Sequence, residues 1–157
     1  MAQPLEAAAI KMMKEAFEGP PPPDRQSWFV NTEPDSGIFG LLKGIRAAEA
    51  SKEIHGTNLA AHTDHIRYHL WGCSEVISGR SPRMDWQASW RIKSVDEERW
   101  QEVQDQLRDE YLRFLNEYEQ MEWTGQRADE ALATIIHAAY HLGAMKQMVK
   151  SAGSYRT

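Results

Sequence analysis

The chain has 157 residues, a formal net charge of −5 at neutral pH and 26% charged residues. This length predicts a single domain, residues 1–157, that buries a core without disulfide or metal staples. The net negative charge and the scattered Lys and Arg residues argue against a nucleic-acid partner. Cys73 is the only cysteine, so no intrachain disulfide can form, which is typical of a reducing compartment. Because no apolar run resembles a signal core or a membrane span, we expect a cytoplasmic protein with no membrane partner.

Four stretches have the apolar periodicity of amphipathic helices. The first is Pro4–Glu18, which Gly19 and the prolines after it bring to an end. The other three are predicted at Thr57–Ser78, at Asp96–Glu122, and from about Ala131 to about Ser151. No stretch has the strict alternation of a half-buried strand. The sequence therefore predicts an all-α fold, a four-helix bundle.

The connections between these helices differ in length. The first connection runs from residue 19 to residue 56 and contains one predicted short amphipathic helix, Phe39–Ala47. Such a long crossover allows helices 1 and 2 of the bundle to run parallel. The connection at Gly79–Val95 carries Trp86 and Trp90, which either cover a cleft or pack over one end of the bundle. Thr124–Arg127 is predicted to form the last turn.

The last helix contains two histidines in an apolar stretch, Ala131–Met145. This stretch is apolar on two sides, which predicts a central position in the domain. His137 and His141 are four residues apart and lie on the same face, about one turn from each other. Two imidazoles at this spacing can chelate one metal ion. The alternative is a pair of core or rim histidines that bond to backbone carbonyls or carboxylates.

The second helix offers the third ligand. Its apolar stripe consists of Leu59, Ile66, Leu70, Cys73 and Ile77. His62 projects close to this stripe and is the best third ligand, whereas His65 lies to one side of it and is the second choice. His69 is an outer partner of the site or a core residue. Each of these histidines, taken alone, also fits a half-buried ring with satisfied hydrogen bonds.

Three neutral imidazoles without a carboxylate suit zinc, nickel or iron(II). Three protein ligands leave a position for water or substrate, which is typical of a catalytic site. Tyr140 points about 100° away from His141 on the helix, so we assign it no role. Cys73 has no evident base partner and is interpreted as a core residue. The sequence has no serine-nucleophile elbow, phosphate-binding loop or dinucleotide fingerprint.

Two segments resemble the DinB/YfiT-like family of metalloenzymes. HAAYHLGAM, residues 137–145, is similar to the family's fourth-helix pattern of two histidines four residues apart followed by small residues. TNLAAHTDHIRYHL, residues 57–70, is similar to the second-helix segment, in which a histidine follows an aliphatic residue by three. His62 follows Leu59 at that spacing.

The resemblance implies a four-helix bundle that binds a divalent metal, nickel or zinc with iron as an alternative, on His62, His137 and His141. The presence of both His62 and His65 leaves the first ligand open. It also implies a homodimer and a transferase or isomerase that uses a low-molecular-weight thiol with a small-molecule substrate. A metal-dependent hydrolase and a non-catalytic, stress-related protein that binds a metal or small molecule are the alternatives.

Overall fold

The structure is a computed structural model that describes residues 4–23 and 26–153, and within these ranges it is all-helical. The helices are α1 (Pro4–Glu18), α2 (Ile38–Leu42), α3 (Ala47–Ala50), α4 (Leu59–Ile77), α5 (Glu97–Gln120) and α6 (Gly125–Ser151), with a 3₁₀ turn at Ala88–Trp90. No strand occurs in the described ranges, and the predicted all-α class is confirmed. None of the helices in these two ranges has both the length and the apolar character that crossing a bilayer requires.

Two polar side chains set the starts of α4 and α5. The Asn58 side chain accepts a hydrogen bond from the Ala61 N–H, and the Asp96 side chain accepts one from the Arg99 N–H. Such N-caps satisfy backbone donors that have no partner inside the helix. The predicted boundaries of these two helices are therefore correct to within one or two residues.

The predicted turn at Thr124–Arg127 was wrong beyond its first residue. Thr124 has extended backbone, and α6 begins at Gly125. Gln126, Arg127 and Ala128 are good helix formers, and a glycine in the first turn adds little strain. The helix therefore begins at Gly125 instead of about Ala131, more than one and a half turns earlier than the sequence suggested.

The predicted short helix Phe39–Ala47 is two helices in the structure. α2 ends at Leu42 and α3 begins at Ala47. Between them Gly44 has φ of +77°, a left-handed conformation that glycine adopts at no steric cost and that ends a helix. The prediction of a single helix was therefore wrong, because the turn at Gly44 separates two helices.

The core lies where the apolar faces of the long helices meet. α4 packs against both α5 and α6, and α1 packs against α6, α2 and α5. At one end of this core the Phe17 ring stacks on the Tyr111 ring at 4.6 Å, and the Phe39 ring lies 5.5 Å and 5.2 Å from these two rings. The contact between α4 and α6 is the one that matters for the site, because these two helices carry the histidines singled out above.

One face of α6 is exposed. Leu132, Ile136 and Tyr140 lie at four-residue spacing and have exposed fractions of 36%, 69% and 74%. The prediction that this helix is central was wrong for this face, because α6 packs mainly against α1 and α4. The apolar residues on the remaining side point away from both neighbours.

A buried carboxylate on α1 fixes the chain that follows the proline segment. One oxygen of Glu15 accepts hydrogen bonds from the Ser27 hydroxyl and from the backbone N–H groups of Trp28, Phe29 and Val30, at 2.7–3.3 Å. Burial opposes ionisation of Glu15, but these hydrogen bonds outweigh it and lower its pKa. The loop from residue 27 to residue 30 is thereby attached to the first helix.

We expect Glu15→Ala to reduce the free energy of unfolding by about 2 kcal/mol, because it removes the buried carboxylate that accepts four part-buried hydrogen bonds. Glu15→Gln keeps an acceptor oxygen and is expected to lose less. Because the folded pKa lies below the unfolded value, the stabilisation is complete above the unfolded pKa and is lost as the pH falls through the folded pKa. Urea denaturation of the three proteins between pH 7 and pH 3 measures both effects, and equal stabilities would contradict this role.

Candidate metal centre

Five histidines meet where α4 packs against α6. His62, His65 and His69 come from α4, and His137 and His141 come from α6. The Nε2 atoms of His65 and His137 are 3.0 Å apart, and the Nδ1 atoms of His62 and His141 are also 3.0 Å apart. Their side chains thus form two cross-helix pairs inside one cluster.

Three of these residues have the arrangement of a metal-ligand set. His65, His137 and His141 each offer a ring nitrogen, and the three nitrogens lie within 4.8 Å of one another. His65 and His141 are buried, and His137 is half-buried. Zn–N bonds of about 2.0–2.1 Å in tetrahedral geometry separate two ligand nitrogens by roughly 3.4 Å. Small ring rotations would therefore fit these three residues to one divalent ion.

The structure places both candidates for the first ligand in the cluster. His65, the second choice from the sequence, belongs to the group of three with His137 and His141. His62, the first choice, contacts the Nδ1 atom of His141 instead. The identity of the first ligand stays a prediction. His69 stacks on His137, with ring centroids 3.8 Å apart and an angle of 13° between the planes.

The loop between α4 and α5 covers this cluster with its tryptophans. The Trp90 ring stacks on His65 at 4.1 Å and meets His62 edge-on at 5.0 Å. The Trp86 ring lies 6.2 Å from His65 and 5.7 Å from His69. The structure shows that both rings contact the histidines. The two roles considered for these tryptophans, covering a cleft and packing over one end of the bundle, both stay predictions.

The histidines are held in the neutral form. Burial lowers the pKa of His62 and His69 to about 4, and of His137 and His141 to about 2 and about 3. The neighbouring imidazoles lower these pKa values further, since a charge on one ring opposes a charge on the next. Burial also lowers the pKa of His65. At neutral pH each ring therefore keeps a nitrogen lone pair, which is the form that binds a metal.

Cys73 lies next to the histidine cluster, and its contacts there were not predicted from the sequence. Its Sγ is 3.5 Å from Nδ1 of His69 and 3.5 Å from a carboxylate oxygen of Glu130. Burial raises the pKa of the Cys73 thiol to about 12, and the Glu130 carboxylate also raises it. A thiol with so high a pKa is protonated near neutral pH, and the thiolate is the nucleophilic form. The four-residue spacing to His69 was visible in the sequence, whereas Glu130 comes from α6 and required the fold.

We expect the metal-free protein to lose stability steeply as the pH falls below about 6.5. The folded pKa values of these histidines lie below the unfolded value of 6.5, so the unfolded chain binds more protons between the two. The stabilisation is complete above pH 6.5 and decreases toward the folded pKa values. A single such group changes stability by about 1.4 kcal/mol per pH unit. Urea denaturation with EDTA at pH 7, 6 and 5 measures how the free energy of unfolding depends on pH, and several such groups should make this dependence steeper than that of one group. A dependence that corresponds to one proton or less would contradict the neutral cluster.

Comparison of the chain with protein-family models, with curated proteins and with solved structures finds no match. The DinB/YfiT-like resemblance, the homodimer and the thiol substrate therefore stay predictions. The geometry of the histidines is the basis for a functional proposal.

Proposed function

We propose that this protein is a metal-dependent enzyme built on a four-helix bundle. In this proposal His65, His137 and His141 hold one divalent cation, nickel or zinc, between α4 and α6. The observation that supports it is the grouping of three neutral imidazole nitrogens from two helices within 4.8 Å. Imidazole suits both metals, so the ligands alone do not select between them or exclude iron.

The donor set supports a catalytic site over a structural one. The group consists of three histidines, and structural zinc sites are almost always closed by four protein ligands. His137 is half-buried, while His65 and His141 are buried, so His137 is the most solvent-accessible of the three. A small molecule could approach at His137.

His62 fits the role of an outer partner in this arrangement. If His141 binds the cation through Nε2, its Nδ1–H is free to donate to Nδ1 of His62, which is 3.0 Å away. Metal-binding histidines usually donate their second N–H in this way, which fixes the orientation of the ring. The ligand set inferred from the sequence, His62 with His137 and His141, is therefore revised in our proposal to His65 with the same pair.

The chemistry proposed for the site is activation of a small nucleophile. A bound divalent cation lowers the pKa of a thiol or water that binds to it. The Trp90 and Trp86 rings lie beside His65, with centroids 4.1 Å and 6.2 Å from its own. The family resemblance favours a low-molecular-weight thiol as the nucleophile, in transfer to or isomerisation of an electrophilic substrate. Hydrolysis by activated water is the alternative outcome.

Metal analysis of protein purified without a histidine tag tests the first part of this proposal. We expect one equivalent of nickel or zinc per chain, lost in the double variant His137→Ala/His141→Ala. Binding that survives this double substitution would contradict the site.

Turnover of a model electrophile with a panel of low-molecular-weight thiols, before and after metal removal, tests the second part. A metal-dependent rate with thiol supports the transferase, and a metal-dependent rate with water alone supports the hydrolase. Stoichiometric metal without turnover on thiol, ester or amide substrates would support a binding protein and overturn the enzyme.

A further inference from the structure

Ser89, in the loop between α4 and α5, makes two hydrogen bonds with its buried hydroxyl. Its Oγ lies 2.6 Å from the Trp86 carbonyl oxygen and 2.7 Å from Nδ1 of His65. A serine hydroxyl has one hydrogen to donate, and a carbonyl oxygen only accepts. The Ser89 hydroxyl therefore donates to Trp86 and accepts from His65. It follows that the hydrogen in the second bond belongs to Nδ1 of His65.

A neutral imidazole has one N–H, so the second nitrogen of His65, Nε2, carries a free lone pair. This Nε2 lies 3.0 Å from Nε2 of His137, on the side of the ring that faces the partner helix. We infer that Ser89 is a positioning residue whose hydroxyl holds the His65 proton on Nδ1 and so keeps Nε2 free to bind a metal. The metal-binding part of this inference rests on the proposed function, whereas the proton position is a property of the metal-free protein.

The same bonds assign the proton of His137. Because Nε2 of His65 has no hydrogen, the 3.0 Å contact between the two Nε2 atoms is a hydrogen bond only when His137 donates. In the metal-free protein His65 and His137 thus have opposite tautomers. When both Nε2 atoms bind a cation, His137 has to move its proton to Nδ1, while His65 keeps its own. Ser89 therefore prepares one ligand in advance, which reduces the reorganisation on binding.

Nitrogen-15 NMR of the histidine rings in metal-free protein tests the assignment directly. Correlations from each ring nitrogen to the ring carbon protons distinguish Nδ1–H from Nε2–H, and a His65→Gln variant identifies the His65 signals. We expect Nδ1–H on His65 in the wild type and a mixture of tautomers in Ser89→Ala. Ser78→Ala removes a hydroxyl that bonds to Ser74 and Glu117 instead, and it should leave the His65 tautomer unchanged.

Zinc affinity, measured by competition with a chelator, tests the consequence for binding. Ser89→Ala is expected to bind zinc about 10–100-fold more weakly, the usual effect of losing an outer partner of a histidine ligand. Ser89→Thr restores a hydroxyl and should recover most of the affinity and the Nδ1–H tautomer. This rescue separates the hydrogen bond from a general effect of the loop on stability.

Several outcomes would overturn the inference: Nε2–H on His65 in the wild type, an unchanged tautomer in Ser89→Ala, or an unchanged zinc affinity in that variant. The wild-type spectrum decides the proton position even if Ser89→Ala does not fold. Nδ1–H on His65 in a wild type that binds no metal would reject the proposed function while supporting the role of Ser89 in fixing the proton.

Discussion

Replacing His137 with alanine is expected to lower zinc affinity by more than 100-fold, beyond the roughly 10–100-fold that loss of an outer partner costs. His137 supplies one of the three ring nitrogens within 4.8 Å of one another, so its removal leaves two ligands. Chelator competition at pH 7 with zinc and with nickel measures the change.

His69→Ala is the matched control for this variant. His69 stacks on His137 at 3.8 Å but does not belong to the group of three. Its removal takes away a stacking contact with a ligand rather than a hydrogen bond to one, so we expect a loss of at most about 10-fold, below the roughly 10–100-fold for a hydrogen-bonded outer partner. Equal losses in the two variants would show that the ligand group has been chosen wrongly.

The same assay decides between His62 and His65 as the first ligand. His65→Ala should match the loss in His137→Ala, whereas His62→Ala should fall in the range of an outer partner, because His62 contacts Nδ1 of His141. The reverse order would restore the ligand set favoured by the sequence.

Replacing Phe17 with alanine is expected to destabilise the protein by about 3–5 kcal/mol, the usual cost of emptying a buried phenylalanine site. Phe17 is fully buried, and its ring stacks on Tyr111 of α5 and contacts Phe39 of α2. The truncation leaves a cavity where three helices meet. For a domain of this size the thermal midpoint should fall by roughly 10 °C, and urea denaturation at 25 °C gives the free energy.

Leu112→Ala is the control for this loss of apolar volume. Leu112 lies on α5, but its side chain is 55% exposed, so its truncation should change stability by no more than about 0.5 kcal/mol. A similar effect of the two substitutions would contradict the packing of Phe17 between the helices.

The long helices could be predicted because their signals are local. Pro4–Glu18 was predicted with the observed bounds, since a proline at its first position and a glycine after its last mark both ends. Asn58 and Asp96 likewise act as caps within their own segments. The break at Gly44 was missed because a glycine permits a left-handed turn without requiring one.

The ligand set was harder to predict because it depends on where α6 crosses α4. His62 and His65 are three residues apart and point about 60° from each other around the helix axis. Both directions lie within the face that α4 presents to α6, so a helical wheel ranks them only by nearness to the apolar stripe. His65 is brought to His137 by the packing of the two helices, and Ser89 reaches His65 through a loop 24 residues further along the chain.

The stacking of Trp90 on His65 gives the protein a built-in optical reporter. The centroids of the indole and imidazole rings are 4.1 Å apart and the ring planes are inclined by 23°, so a cation on His65 would lie within a few bond lengths of the indole. Paramagnetic ions such as nickel(II) quench indole fluorescence at short range, whereas closed-shell zinc(II) does not. Tryptophan emission of the metal-free protein should therefore fall on titration with nickel but not with zinc. A Trp90→Phe variant shows how much of the change comes from this ring.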